Sequence, residues 1–127
     1  KLGAEFIEIH TGTYANLFIQ YHKERAAIGA FYNPEMIDVL NYDELVDPVR
    51  NEVERIRKAV DLAKSLGLNV NLGHGLTVAN LPALYNELSE IKELHIGHSV
   101  VANSMFYGIE KIIDFYAGTL SQYKNLV

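Results

Sequence analysis

Four of the five histidines in this chain stand within two residues of a glycine, and each of the four closes an apolar stretch. Gly73-His74-Gly75 follows Leu68 to Leu72, His95-Ile96-Gly97-His98 follows Glu93-Leu94, and His10 precedes Thr11-Gly12 at the end of Phe6-Ile7-Glu8-Ile9. An imidazole exchanges protons near neutral pH without strong tuning, so a histidine displayed on a turn is suited to acid–base work. Glycines beside it leave the backbone bare, so a ligand can approach closely and backbone N–H groups can face it. At a helix start those N–H groups suit a phosphate. Glu8 adds a carboxylate two residues before His10. Three such histidines could also suggest zinc, yet no close-spaced ligand pair falls on one helix or hairpin, and the phosphate chemistry needs no metal. The expectation is therefore an acid–base site that needs no metal.

These residues are placed by alternating strands and helices. Residues 5–10 read as a strand with Ile7 and Ile9 on one side and Phe6, Glu8 and His10 on the other. Residues 11–16 read as a loop and helix start. Residues 17–42, with Leu17-Phe18-Ile19, Tyr21, Phe31, Tyr32 and Pro34, read as one or two short helices inserted before the return helix. That helix is expected from Asp43 or Asp47 to Leu66, since Leu45, Val49, Val53, Ile56, Val60 and Ala63 step by three or four. Asp47 would cap it, Pro48 suits its first turn, and Gly67 stops it. Residues 68–72 read as the second strand, and Thr77 or Asn80 caps a short helix to about Leu88. Residues 93–97 form a third strand. One long helix over 99–123 presents Val101, Met105, Ile109, Ile112, Tyr116 and Leu120, weakened by Gly108 and Gly118.

Strand–helix alternation predicts parallel strands. A doubly wound parallel sheet is apolar on both faces. Here Ile7/Ile9, Val70/Leu72 and Leu94/Ile96 make one apolar face, while Glu8/His10, Asn69/Asn71/Gly73 and His95/Gly97 make the other polar. A (β/α)8 barrel, whose lumen carries a site at the C-terminal strand ends, explains that pattern. Such a barrel takes about 250 residues, and this chain has 127, enough for about three βα units.

Bulk properties narrow the classes. The chain is 49% hydrophobic and 21% charged, which is globular, and its net charge of -5 argues against a general nucleic-acid binder. It holds no cysteine, so neither disulfides nor thiolate chemistry enter. No apolar run of membrane-spanning length or signal peptide is read, so no membrane partner and a cytoplasmic location are expected. Lys1-Leu2-Gly3-Ala4 reads as a helix end feeding a strand, as if the chain began in mid-fold.

Phe6-Ile7-Glu8-Ile9-His10-Thr11-Gly12 with Tyr14-Ala15, Ser65-Leu66-Gly67-Leu68 with Val70-Asn71, Gly73-His74-Gly75-Leu76-Thr77, and Glu93-Leu94 with Ile96-Gly97-His98 together resemble the pyridoxine 5′-phosphate synthases. The resemblance runs over nearly the whole chain except 17–42. It implies the last three βα units, strands 6–8, of a TIM barrel. It implies condensation of 1-deoxy-D-xylulose 5-phosphate with 3-amino-2-oxopropyl phosphate into pyridoxine 5′-phosphate, with release of inorganic phosphate and water and no cofactor. On this resemblance His74 is the proton donor, Gly75 a backbone contact to substrate, Gly97 and His98 part of the phosphate end, and Glu8 the lumen carboxylate that supports the transition state. The family's other bases and its phosphate-binding arginines belong to the first half of the barrel, so these residues alone are expected to be inactive. His95 stands where asparagine is common in the family. The family forms oligomers, an octamer built from dimers, so a homo-oligomer is expected, with 17–42 as lid or interface.

Other readings stay open at the level of residues. His74 could be a structural turn histidine, Glu8 a solvated carboxylate on an open sheet, and His98 a helix cap. His10, Asn71 and His95 are possible participants or structural hydrogen-bonders. His22, in no constellation, reads as surface. Another phosphosugar enzyme on a barrel, or a half-barrel that binds phosphate without turnover, would use the same scaffold. An aldolase of that kind would want a Schiff-base lysine at a strand end, and none falls on the three strands.

Overall fold

The computed structural model describes residues 3–30, 40–88 and 90–124. Three strands, β1 (Phe6–His10), β2 (Asn69–Gly73) and β3 (Glu93–His95), pair in parallel in the order β1-β2-β3. Between β1 and β2 the chain forms helices α1 (Gly12–Tyr21), α2 (Lys23–Ala30) and α3 (Asp47–Ser65); α4 (Leu81–Tyr85) links β2 to β3. Helices α5 (His98–Tyr107) and α6 (Ile109–Lys124) follow. Neighbouring parallel strands need such crossovers, so the alternation seen in the sequence becomes one helix-backed sheet.

The core lies between the sheet and α3. Leu45, Val49, Val53, Ile56, Val60 and Ala63 are all buried, as their spacing requires, and meet Val70 and Leu72 of β2. Truncating Ile56 to alanine there would cost about 2–5 kcal/mol, transfer free energy plus the cavity left behind. The helix begins at Asp47, one of the two starts expected, but Asp47 does not cap it. Val46, in extended conformation, is the cap residue, so Asp47 stands inside the first turn, with Pro48 beside it and Arg50 3.8 Å away. A carboxylate there still opposes the positive helix end. Tyr14, Ala15 and Phe18 bury one side of α1, which packs on α3. Residues 17–21 of the expected insertion thus continue α1, and residues 23–30 form α2. Phe31, Tyr32 and Pro34 lie outside the described residues, as do Lys1 and Leu2. His22 joins α1 to α2 half-buried, its ring 5.1 Å from that of Phe18.

The polar face is as the alternation predicts. Ile7 and Ile9 turn toward the core, whereas Phe6, Glu8 and His10 are exposed. The single long helix expected over 99–123 is instead two. Gly108 takes φ 85, a left-handed angle that ends α5 and that a residue with a Cβ adopts reluctantly. The break redirects the apolar stripe: Ile112 and Tyr116 are buried, while Val101, Met105 and Ile109 are exposed. No helix among the described residues is long and apolar enough to cross a membrane.

Candidate active site

The turn after β2 carries the site. His74 has φ 76 and Gly75 φ 77, two left-handed residues in succession. For a non-glycine residue that conformation costs about 1–2 kcal/mol and persists only where its surroundings hold it. Three buried side chains do so. Thr11 Oγ1 lies 2.7 Å from the carbonyl oxygens of both Gly73 and His74, and its backbone N–H also donates to Gly73. Asn80, 2% exposed, donates from Nδ2 to the Gly75 carbonyl at 3.0 Å and accepts the Thr77 N–H on Oδ1 at 2.8 Å. Tyr14 donates its hydroxyl to the Asn80 carbonyl at 2.7 Å. Burial pushes the Tyr14 hydroxyl well above the usual phenol range, so it stays a donor. A Cβ on Gly75 would come 2.5 Å from the Ala15 Cβ, so the α1 contact as well as the backbone angle requires glycine.

The sheet register sets the side chains in rows. Glu8 pairs with Asn71 and Asn71 with Glu93; His10 pairs with Gly73 and Gly73 with His95. Glu8 leans over Gly73. One of its oxygens, Oε1, lies 3.2 Å from His74 Nε2, and the other meets His95 Nδ1 in a direct hydrogen bond. His95 Nε2 faces Glu93 at 3.3 Å, and Asn71 donates its amide to the same Glu93 oxygen at 3.0 Å. His10 stacks on His74 with ring centroids 4.2 Å apart. The Gly12 N–H donates to His10 Nδ1 at 3.2 Å, so the proton of the neutral His10 ring sits on Nε2. The hydrogen bond to Glu8, then that to Glu93, holds the His95 imidazole above its ordinary value.

A cleft of about 830 Å³ opens beside this row. Residues 74–77 form one wall and 94–99 the other, with Ala102 and Asn103 of α5 completing it. Glu8, His10 and Asn71 are not among the lining residues; Glu8 touches the rings of His74 and His95, which are, and His10 stacks on His74. Gly97 precedes the first turn of α5 and His98 opens that helix, so its N-terminal N–H groups lie in the wall. The start of α5 is anchored to α6. Ser99 shares a 2.7 Å hydrogen bond with the Tyr116 hydroxyl, and Asn103 donates to the Ser99 carbonyl at 2.7 Å. Among the described residues, no group of three or more His, Cys, Asp or Glu side chains converges where a metal ion would sit.

Every residue singled out from the sequence is thus in one region: Glu8, His74, His95, His10 and Asn71 in the row, Gly75, Gly97 and His98 on the cleft. Sequence reasoning did not single out Thr11, Glu93 or the bracing role of Asn80. Thr11 meets the carbonyls of Gly73 and His74 and Glu93 meets Asn71, partners far off in sequence, whereas Asn80 bonds Gly75 and Thr77 close by, in a turn whose shape its residue types do not spell out.

The family model described as pyridoxal phosphate biosynthesis protein PdxJ matches residues 1–122. The pyridoxine 5'-phosphate synthase of Campylobacter lari is 46% identical over 112 residues, covering 88% of this chain and 42% of that protein. Those of Hydrogenobaculum sp. and Aquifex aeolicus are 35% and 37% identical, over 94% and 89% of this chain and 40% and 38% of theirs. The chain therefore spans about two fifths of the length of these relatives.

Proposed function

The chain belongs to the PdxJ family of pyridoxal phosphate biosynthesis proteins, and from that premise we propose that it carries the proton-donating and phosphate-binding part of a pyridoxine 5′-phosphate synthase. In this reading it supplies strands 6–8 of a (β/α)8 barrel, and the intact protein condenses 1-deoxy-D-xylulose 5-phosphate with 3-amino-2-oxopropyl phosphate, releasing inorganic phosphate and water. One observation carries it: a carboxylate gripped between two imidazoles at the C-terminal ends of parallel strands, beside a cleft that a helix N-terminus enters.

The chemistry follows from the contacts. Ring closure with loss of water and phosphate needs a proton delivered to each departing oxygen. His74 stands in the cleft wall on a turn braced by Thr11 and Asn80, and its Nε2 lies 3.2 Å from Glu8 Oε1, which fixes the direction of the ring. The N–H groups around Gly97 and His98 and the bare backbone of Gly75 suit a phosphate dianion, which the dipole of α5 favours.

The test is product formation by the intact protein from the two phosphorylated substrates. General acid–base catalysis contributes about 10²–10⁴-fold, so His74→Ala should lower turnover by that order. The affinity for a phosphate ligand, measured by calorimetry, should change only a few-fold. Equal turnover in parent and variant refutes the role of His74, and no product from the parent refutes the activity.

A further inference from the structure

We propose that His95 is a positioning residue, which grips Glu8 from one side and Glu93 from the other so that the free oxygen of Glu8 stays on His74. The proposal uses the synthase reading only for its turnover measurement.

The geometry is unusual for a sheet. Glu8 and His95 are on strands two apart, separated by about 10 Å of backbone. They belong to neighbouring rows, Glu8 opposite Asn71 and His95 opposite Gly73, and they meet diagonally because Gly73 has no side chain. A Cβ at Gly73 would stand 2.6 Å from Glu8 Oε1 and 3.2 Å from the His95 Cβ, so the carboxylate occupies the space a side chain would fill. Both nitrogens of His95 then face carboxylate oxygens, Nδ1 that of Glu8 and Nε2 that of Glu93. A neutral imidazole has one N–H, and two carboxylate acceptors are satisfied together only by the imidazolium. The upward shift of the His95 imidazole agrees with this. The charged groups around it are Glu8 from β1 and Glu93 from its own strand, with His74 beyond the Glu8 carboxylate.

Glu93 is itself held. Asn71, 6% exposed, donates its amide to the Glu93 oxygen that faces His95. The row Asn71–Glu93–His95–Glu8–His74 is therefore continuous, and each member limits the rotation of the next. Without His95, Glu8 keeps one partner and regains side-chain rotation about several bonds. The time it spends aligned on His74 falls, and with it the time the His74 ring is held in one orientation.

Asparagine at position 95 has one amide that replaces the donor to Glu8 but carries no charge; leucine replaces neither. In the intact protein, with 15N-labelled histidine, His95 should remain imidazolium at pH values where a free imidazole is neutral, and Glu8→Gln should lower its titration midpoint. The His74 ring resonances should shift in His95→Leu and return toward parental positions in His95→Asn. A misplacement of about 1 Å at a reacting group costs about 10²-fold, so kcat in His95→Leu should drop tenfold or more with KM within twofold. His95→Asn should recover most of kcat. The proposal is overturned by His74 resonances that are the same in all three proteins, by a His95 midpoint indifferent to Glu8→Gln, or by parental kcat in His95→Leu. Should His95→Leu not fold, the Glu8→Gln titration still decides. Should the parent make no product, the synthase reading fails and the resonances alone judge the grip.

Discussion

Gly73→Ala separates folding from function more sharply than any other change at this site. Gly73 lies in β2 with strand pairing on both sides, so alanine meets no backbone strain there. Replacing glycine where the backbone already suits alanine stabilises by about 0.4–1 kcal/mol, through the unfolded chain. Against this, the new methyl would stand 2.6 Å from Glu8 Oε1, and the oxygen must retreat by about 0.8 Å to reach an ordinary contact of 3.4 Å. Glu8 is a partly exposed carboxylate, and its ion pairs are worth about 0–1 kcal/mol to the fold. The two effects nearly cancel, so the urea midpoint of Gly73→Ala should stay close to the parent's. The His74 contact does not tolerate the shift, because a displacement approaching 1 Å at a reacting group costs about 10²-fold in rate. Pyridoxine 5′-phosphate formation by the intact protein should fall by about that factor, with the His74 and His95 ring resonances displaced together. Parental turnover in a folded Gly73→Ala protein would refute the reasoning, because it would mean that Glu8 need not sit where the structure puts it.

Asn80→Ala should destabilise by about 2 kcal/mol, since the Gly75 carbonyl and the Thr77 N–H both lose their partner. Urea unfolding measures this, and a change below about 0.5 kcal/mol would mean the turn is held by Thr11 alone. The two perturbed histidines should make stability respond to pH in opposite directions. His95 is shifted upward in the folded state by its hydrogen bonds to Glu8 and Glu93. Its contribution is complete below the ordinary imidazole value, about 6.5, and fades as pH rises through the folded value. His22 is shifted downward, by burial first and by Arg25 second, so its contribution is present above the ordinary value and is lost as pH falls. Urea midpoints across pH should therefore show a smaller alkaline loss in His95→Asn than in the parent; superimposable curves would contradict the ion-pair geometry.

The sequence alone determined the layout that follows from local rules. The three-and-four spacing from Val49 to Ala63 is a helix with one buried face, and that face is the core; Leu45, counted in the same stripe, is buried but lies in extended backbone before the helix. Period-two alternation in Phe6–His10 put Glu8 and His10 opposite Ile7 and Ile9, which is where they are. The glycine-flanked histidines were visible because residue type and chain flexibility are local properties. Tertiary structure decided what depends on register and on close approach. Parallel pairing of β1 with β2 and β2 with β3 set Glu8 and His95 in neighbouring rows, diagonal to each other, and so joined them across Gly73. No local pattern encodes that, since the partners are separated by 87 residues. Thr11 and Tyr14 became part of the brace of the His74 turn for the same reason: their neighbours in sequence do not say which carbonyl each will meet. The helix after Gly97 shows the limit from the other side. Its apolar spacing runs unbroken through Gly108, but a single left-handed angle there turned half of that stripe outward.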